Sequence, residues 1–327
     1  MSATLLTLAQ ALAALYALQW LLGVLFSFKT SRPDGDVVST PAYRRLMFHI
    51  MRGKAESVVY FDAWVNAEKL LPYVETARAS FGANLTHCVV AATGLCLARA
   101  PRINRFTSGQ RLYARRGRHV TFSMKRGTEP DGAVARASEL GTIKIEVKDG
   151  EDFPSLCKRI NSDIRLQRSG ADTPADKEYR LFNLLPQFVL RGAARLIMAL
   201  DQMNLLPGFF IEGDGMFSSV FVANLGSIHM DAGYHHLYEY GNTPIFIMVG
   251  QVCERPVVVE GAVVARPALH LRFTFDERID DGLNARHAME ALVEALEDPE
   301  RWLGGLGPGP HAPLWPREAP AATPPAG

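Results

Sequence analysis

From residue 1 to residue 28 the chain carries no charged side chain, and this run limits what the protein can be more than any other stretch. Residues 5–28 read LLTLAQALAALYALQWLLGVLFSF, with only Thr7, Gln10, Gln19 and Ser27 clearly polar. As a helix rising about 1.5 Å per residue, the run reaches roughly 36 Å, against roughly 30 Å for the hydrocarbon core of a bilayer. A cleaved signal peptide begins with Lys or Arg and ends at a small-residue site, and neither is present. A helix buried in an oligomer core is the alternative that length and composition allow. The expectation is a membrane anchor over residues 1–30. Lys29, Arg32, Arg44, Arg45, Arg52 and Lys54 follow it, while nothing basic except the amino terminus precedes it. The positive-inside tendency therefore puts the large C-terminal part on the cytoplasmic side of a cell (inner) membrane crossed once.

The remainder is a globular protein by composition. Nearly half of all residues, 48%, fall in the hydrophobic set, and 35 Lys+Arg balance 34 Asp+Glu. That apolar content is too high for a disordered chain, and a net charge of +1 is too low for a nucleic-acid binder relying on bulk positive charge. Short basic runs such as Arg115-Arg116-Gly117-Arg118 carry no interleaved aromatics and read as solvated turns. Cys88, Cys96, Cys157 and Cys253 form no C-x-x-C pair, which excludes a Cys-rich zinc module and fits a reducing compartment. The residues offer no metal-ligand set, and the phosphate-binding, nucleophile-elbow and dinucleotide motifs are missing. Residues 304–327, rich in Gly, Pro and Ala, are expected to form a flexible tail.

Between the ends, periodicity predicts an α/β domain over 41–303: a mixed sheet flanked by helices. Residues 41–52 have helical spacing of Tyr43, Leu46, Met47 and Ile50. Residues 57–65 are β-branched and aromatic, a strand, and 72–80 and 85–99 are helical, the second apolar enough to be buried. Further strands are expected over 110–114, 119–125, 142–147, 218–223, 245–252 and 269–276, with amphipathic helices over 153–166 and 281–296. Residues 181–210 form an apolar helical insertion interrupted mainly by Arg191, Arg195 and Asp201. It reads either as a helix packed on the core or a subunit contact, or as an interfacial helix with its arginines at headgroup level.

Three blocks carry a family resemblance. Residues 273–303, FTFDERIDDGLNARHAMEALVEALEDPERWL, resemble the end of 2-oxoacid dehydrogenase acyltransferase catalytic domains, where a strand bears D-H-R-x-x-D-G and the chain closes on a helix and an E-D-P turn. Residues 219–226, SVFVANLG, are similar to that family's F-T-I-S-N-L-G strand. The order of elements over 43–106, ending in P-x-I-N, parallels its opening. The resemblance spans the catalytic domain and looks closest to a compact branch containing R-I-N-R-F-x-x-G-Q-R-x-Y and H-H-L-Y-x-x-G-N-x-P. It implies a chloramphenicol-acetyltransferase-like α+β two-layer sandwich that assembles as a homotrimer, with coenzyme A as co-substrate and an acyl-thioester donor meeting its acceptor in a channel between subunits. No lipoyl domain is expected, since no chain is left for one before residue 41.

The same resemblance names the site and shows where this chain departs from it. Glu277 stands where the family has the histidine that removes a thiol proton. Ordinary pKa values of about 8.5 for a thiol and 4.3 for Glu put about 6 kcal/mol against that transfer. The alternative for Glu277 is an ion pair with Arg278 or Arg272. Ala223 replaces the serine that hydrogen-bonds the oxyanion, a donor typically worth about 10²–10³ in rate. Asn224 and Gly226 of the N-L-G turn are retained as channel residues. Asp281 is retained too, and the resemblance implies that an arginine of the first helix, Arg44 or Arg45, holds it. His235 and His236 fall on the stretch that runs beside the channel, and one of them is a candidate base near neutral pH. On extended chain the two would point to opposite faces; their alternative role is ordering a loop with Tyr238, Tyr240 and Asn242. Two functions follow: a membrane-anchored acyltransferase with a non-standard centre, or an inactive trimeric tethered scaffold or ligand-binding protein on the same fold.

Overall fold

The computed structural model describes residues 3–26, 28–125, 140–169, 185–307 and 309–315. The uncharged run forms α1 (Ala3–Phe26), a 24-residue helix. Its large apolar side chains, Leu12, Leu15, Tyr16 and Trp20 among them, are exposed. Among the described residues, no single helix meets the length and apolarity needed to cross a membrane; the apolar stretch found in α1 is Ala9–Leu22.

The globular part is built on a six-stranded sheet: β2 (Val58–Asn66), β5 (His119–Lys125), β6 (Leu140–Glu146), β7 (Val220–Asn224), β8 (Ile245–Val259) and β9 (Ala262–Asp276), in the order β2-β9-β8-β7-β5-β6. β7 runs parallel to both neighbours and the other pairs are antiparallel, so the sheet is mixed. Alternation sets its two faces. Leu269, Leu271, Phe273 and Phe275 of β9 enter the main core, while the intervening His270, Arg272, Thr274 and Asp276 take the opposite face. The core face is covered by α4 (Leu70–Phe81), α5 (Leu85–Arg99), α6 (Phe153–Arg168), α9 (Gly282–Glu297) and α10 (Pro299–Leu303). α5 is buried over nearly its whole length, and Gly94 lets it approach Val147 where a Cβ would collide. These helices on one face of a mixed sheet form the two-layer architecture expected.

A second, three-stranded sheet joins β1 (Gly35–Val37), β4 (Arg111–Arg115) and β3 (Arg105–Ser108). Two short helices near it, α2 (Ala42–Ile50) and α3 (Lys54–Ser57), lead into β2. The insertion folds as α7 (Gln187–Gln202) and α8 (Gly208–Gly213), whose Ile197, Leu200 and Ile211 pack with Leu206 and Phe217 in a small separate core; residues 181–184 lie outside the described ones.

Several expectations are corrected. The tail is not wholly loose: Leu314 and Trp315 are buried, Trp315 donates its indole N–H to Asp149 (2.8 Å), and Arg118 stacks on its ring. Residues 316–327 lie outside the described ones. β8 and β9 run past the sheet as a hairpin to Val259 and back from Ala262, longer than their apolar cores indicated. α2 starts one residue after Pro41 and buries Arg44 and Phe48, leaving Tyr43, Leu46 and Ile50 exposed.

Candidate functional site

The face of the sheet away from the helices carries the candidate site. There Phe221 of β7 stacks on Phe246 of β8 (4.8 Å), and Met248, Ala232 and Leu237 complete a small apolar cluster with Ala223 at its edge. The segment 229–244 crosses this face without joining a β ladder. It is held by side chains instead. Lys54 is buried and donates to the Tyr238 and Gly241 carbonyls (2.7 and 2.8 Å), its pKa drawn down by burial to about 8. Glu239 accepts from the Ala55 amide, and the Thr274 hydroxyl donates to the His235 carbonyl.

His235 and His236 therefore do not take opposite faces. Their rings stack at 5.2 Å, and His235 lies flat on Phe246 at 4.0 Å. The His235 Nδ1–H donates to the His236 carbonyl (2.6 Å), which leaves Nε2 as the lone-pair nitrogen, with the Tyr238 hydroxyl 3.4 Å away. Burial lowers the His235 pKa below the ordinary imidazole value, so the ring is neutral at pH 7. His236 binds the Leu237 carbonyl in the same manner but is exposed. Among the described residues, no three His, Cys, Asp or Glu side chains cluster closely enough to hold a metal ion.

The positions taken from the resemblance fall into separate places. Ala223 pairs with Met248, and Met248 with Arg272. Glu277 follows Arg272 by five residues, so within one chain it lies roughly 17 Å along the sheet from Ala223. His235 is level with Phe221, Phe246 and Thr274, between the two. Glu277 is half-buried. Neither expected ion pair forms: Arg278 pairs with Asp276 (2.8 Å) and Arg272 with Asp62 (2.7 Å), and no described residue bonds the Glu277 carboxylate. Serines do not replace the missing hydroxyl at Ala223. Ser218 is bonded to Thr243, Ser219 accepts from the His119 amide, and Ser227 donates back to the Asn224 carbonyl.

The remaining positions are structural. Asn224 donates to Thr86 (3.0 Å) and caps the turn Leu225–Ile228 by accepting from the Ser227 amide. Gly226 faces the Gly250 carbonyl so closely that no side chain fits. The expected pairing of Asp281 with Arg44 or Arg45 does not occur. Asp281 is the N-cap of α9, accepting from the Asn284 amide (3.0 Å), whereas Arg44 donates to the carbonyls of Glu277 and Arg278. Arg45 is exposed. The buried aspartate held by arginines is the preceding residue, Asp280, paired with Arg102 (2.8 Å) and Arg105 (3.3 Å). Burial is the largest single effect and raises its pKa, but the Arg102 hydrogen bond, the Asp281 amide and the charges of Arg102 and Arg105 together hold it below the usual carboxylate range. Adjacent acids are indistinguishable by spacing alone, and Arg102 of the R-I-N-R motif was the available signal.

The model of the 2-oxoacid dehydrogenase acyltransferase catalytic domain aligns with the C-terminal stretch of the chain. Residues 214–304 match that family. A succinyltransferase component of the 2-oxoglutarate dehydrogenase complex from Saccharomyces cerevisiae is 39% identical over 64 residues, 19% of this chain and only 14% of the relative's length. Among solved structures, a probable dihydrolipoamide acetyltransferase from Listeria monocytogenes superposes with a TM-score of 0.53 at 15% identity, covering 82% of this chain and 94% of that one. The Azotobacter vinelandii dihydrolipoamide acetyltransferase gives 0.51 at 18% identity over the same shares. These superpositions establish the fold. The Azotobacter structure is described for the role of a serine, a histidine and an asparagine in its catalytic mechanism, the last two four positions apart. Glu277 and Asp281 have that same spacing here.

Proposed function

We propose that this protein is an acyltransferase that moves an acyl group from a thioester donor of the coenzyme A type to a thiol or hydroxyl acceptor, with His235 as its base. The observation that carries this reading is the His235 geometry on a sheet face that the family uses. Its Nδ1–H is tied to a carbonyl, and among the described residues its Nε2 lone pair is met only by the Tyr238 hydroxyl at 3.4 Å, which an acceptor's proton can displace. Burial lowers its pKa, so that the ring favours the neutral form. In the step, Nε2 removes the acceptor's proton as the acceptor oxygen or sulfur bonds to the thioester carbonyl. The C–S bond then breaks, and the departing thiolate recovers the proton from the imidazolium. Among the described residues, none bonds the Glu277 carboxylate at the sheet end, and it is not given the base's role.

The roughly 17 Å between Ala223 and Glu277 within one chain supports a homotrimer, in which the two positions meet only across a boundary between copies. Anchoring through α1 is part of the same proposal, resting on its 24 uncharged residues and open apolar side chains. The globular part is proposed to lie on the cytoplasmic face of the cell membrane. A second reading, an inactive tethered scaffold or ligand-binding protein, is favoured by the absence of a hydroxyl at Ala223.

A panel of acyl-CoA donors with thiol and hydroxyl acceptors tests the reading on the detergent-solubilised chain. Transfer is expected to fall by about 10²–10⁴-fold in His235→Ala and by far less in Glu277→Gln. Transfer equal in all three proteins would remove His235 from the chemistry, and no transfer with any donor would leave the scaffold.

A further inference from the structure

We infer that the outer face of α7 and α8 is a second lipid-contacting surface, lying in the headgroup layer of the bilayer that α1 enters. The inference rests on the anchoring proposed above and adds to it where the domain sits. The outer face of α7 combines Phe188 (77% exposed) and Leu196 (59%) with the exposed Arg191 and Arg195. At 100° per residue Phe188, Arg191 and Arg195 share one side of the helix with Leu196 at its border, and Ile197, which helps fill the small core, lies opposite. α8 adds Phe209, 78% exposed. The single acidic residue of α7, Asp201, is turned inward onto Arg32, so the outer face of α7 presents only positive charge, while α8 exposes Glu212 one turn from Phe209.

What this face meets follows from where α1 ends. Phe28 is exposed, and at the next residue the chain is already bound to the insertion: the Lys29 carbonyl accepts from Asn204 Nδ2 (2.6 Å). Arg32 is buried there, donating to Ser108, the Asp201 carbonyl and carboxylate, and Asn204. Pro33 lies against Gly208, one Cα step of about 3.8 Å from Phe209. Whatever surface α1 penetrates is therefore beside α8 and the end of α7. Aromatic and aliphatic side chains alternating with arginines suit a phospholipid interface, where guanidinium groups reach phosphates while apolar side chains enter the acyl boundary. A protein partner or a second copy would instead bury the arginines against acids or carbonyls.

Nitroxide labels report which medium surrounds the face. The full chain, carrying Cys253→Ser and one of Phe188→Cys, Leu196→Cys or Phe209→Cys, is reconstituted in phosphatidylcholine–phosphatidylglycerol vesicles. Collision with lipid-soluble oxygen is compared with collision with a water-soluble nickel chelate. Leu15→Cys reports on α1, and Val258→Cys, at the exposed hairpin tip, is the aqueous standard. The three labels are expected to favour oxygen over nickel about threefold or more relative to position 258. Nickel access equal to position 258, with oxygen access at position 15, overturns the surface and keeps the anchor. Labels shielded from both reagents overturn it in favour of a protein cover. A nickel-accessible position 15 overturns the anchor itself, and the inference with it.

Discussion

Acidification tests the α5 N-terminus, the helix end that supports the turn after β7. Asn84 caps α5 and His87 closes a reciprocal box: the Asn84 amide donates to His87 Nδ1 (3.2 Å), so Nε2–H faces Asn161 Oδ1 (3.2 Å). The neighbouring Thr86 holds Asn224. Burial drives the His87 pKa from 6.5 down to about 4. The folded value is depressed, so His87 costs nothing above pH 6.5, and its neutral form becomes a growing liability as pH falls from 6.5 toward 4, where the unfolded chain binds the proton and the folded chain does not. Between pH 7 and pH 4.5 this linkage removes about 2–3 kcal/mol of stability. Gln at the third helical position serves the same box without titrating. Urea unfolding of the detergent-solubilised His87→Gln variant should therefore lose about 2–3 kcal/mol less than the parent over that interval. His119, also drawn to about 4 by burial and by Lys144, remains in both proteins and cancels in the difference. Equal losses in parent and variant would show that His87 is not neutral in the fold.

Other substitutions separate structure from chemistry. Asp281→Ala should cost about 1 kcal/mol in thermal or urea unfolding, the usual loss of an N-cap, with acyl transfer nearly unchanged; a collapse of transfer at unchanged stability would return Asp281 to the reaction. Gly226→Ala forces a methyl onto the Gly250 carbonyl and should destabilise by about 1–3 kcal/mol, read as a lower urea midpoint at unchanged slope.

Strands buried on one face were legible because they alternate. Leu269, Leu271, Phe273 and Phe275 announce β9, and the apolar run of α5 announces a buried helix. What escaped has no local pattern. β1 and β3 are three and four residues long, and the bonds beside them join the neighbours Arg32 and Asp34 to Arg115 and Asn242, far along the sequence. Trp315 looked like tail because its partners, Asp149 and Arg118, lie more than a hundred residues earlier. At the site, the departures at Glu277 and Ala223 were visible residue by residue. The stacking of His235 on Phe246 was not, because it depends on Lys54 and Thr274 holding a segment that has no ladder of its own. The choice of Asp280 over Asp281 was settled by Arg102 and Arg105, which only the folded chain brings to it.

The knot around Arg32 has a mechanical corollary. Its guanidinium is almost wholly enclosed by Asp34, Asp201, Ser108 and Asn204, and burial only partly offsets the attraction of those carboxylates, so the charge stays in place across the physiological range. Two residues separate Phe28 from Ser31, so there is no slack with which the domain could swing. Under the proposed anchoring, a connection this short acts as a bracket rather than a leash: the proposed catalytic face keeps one height and one tilt, and acyl carriers travel to it.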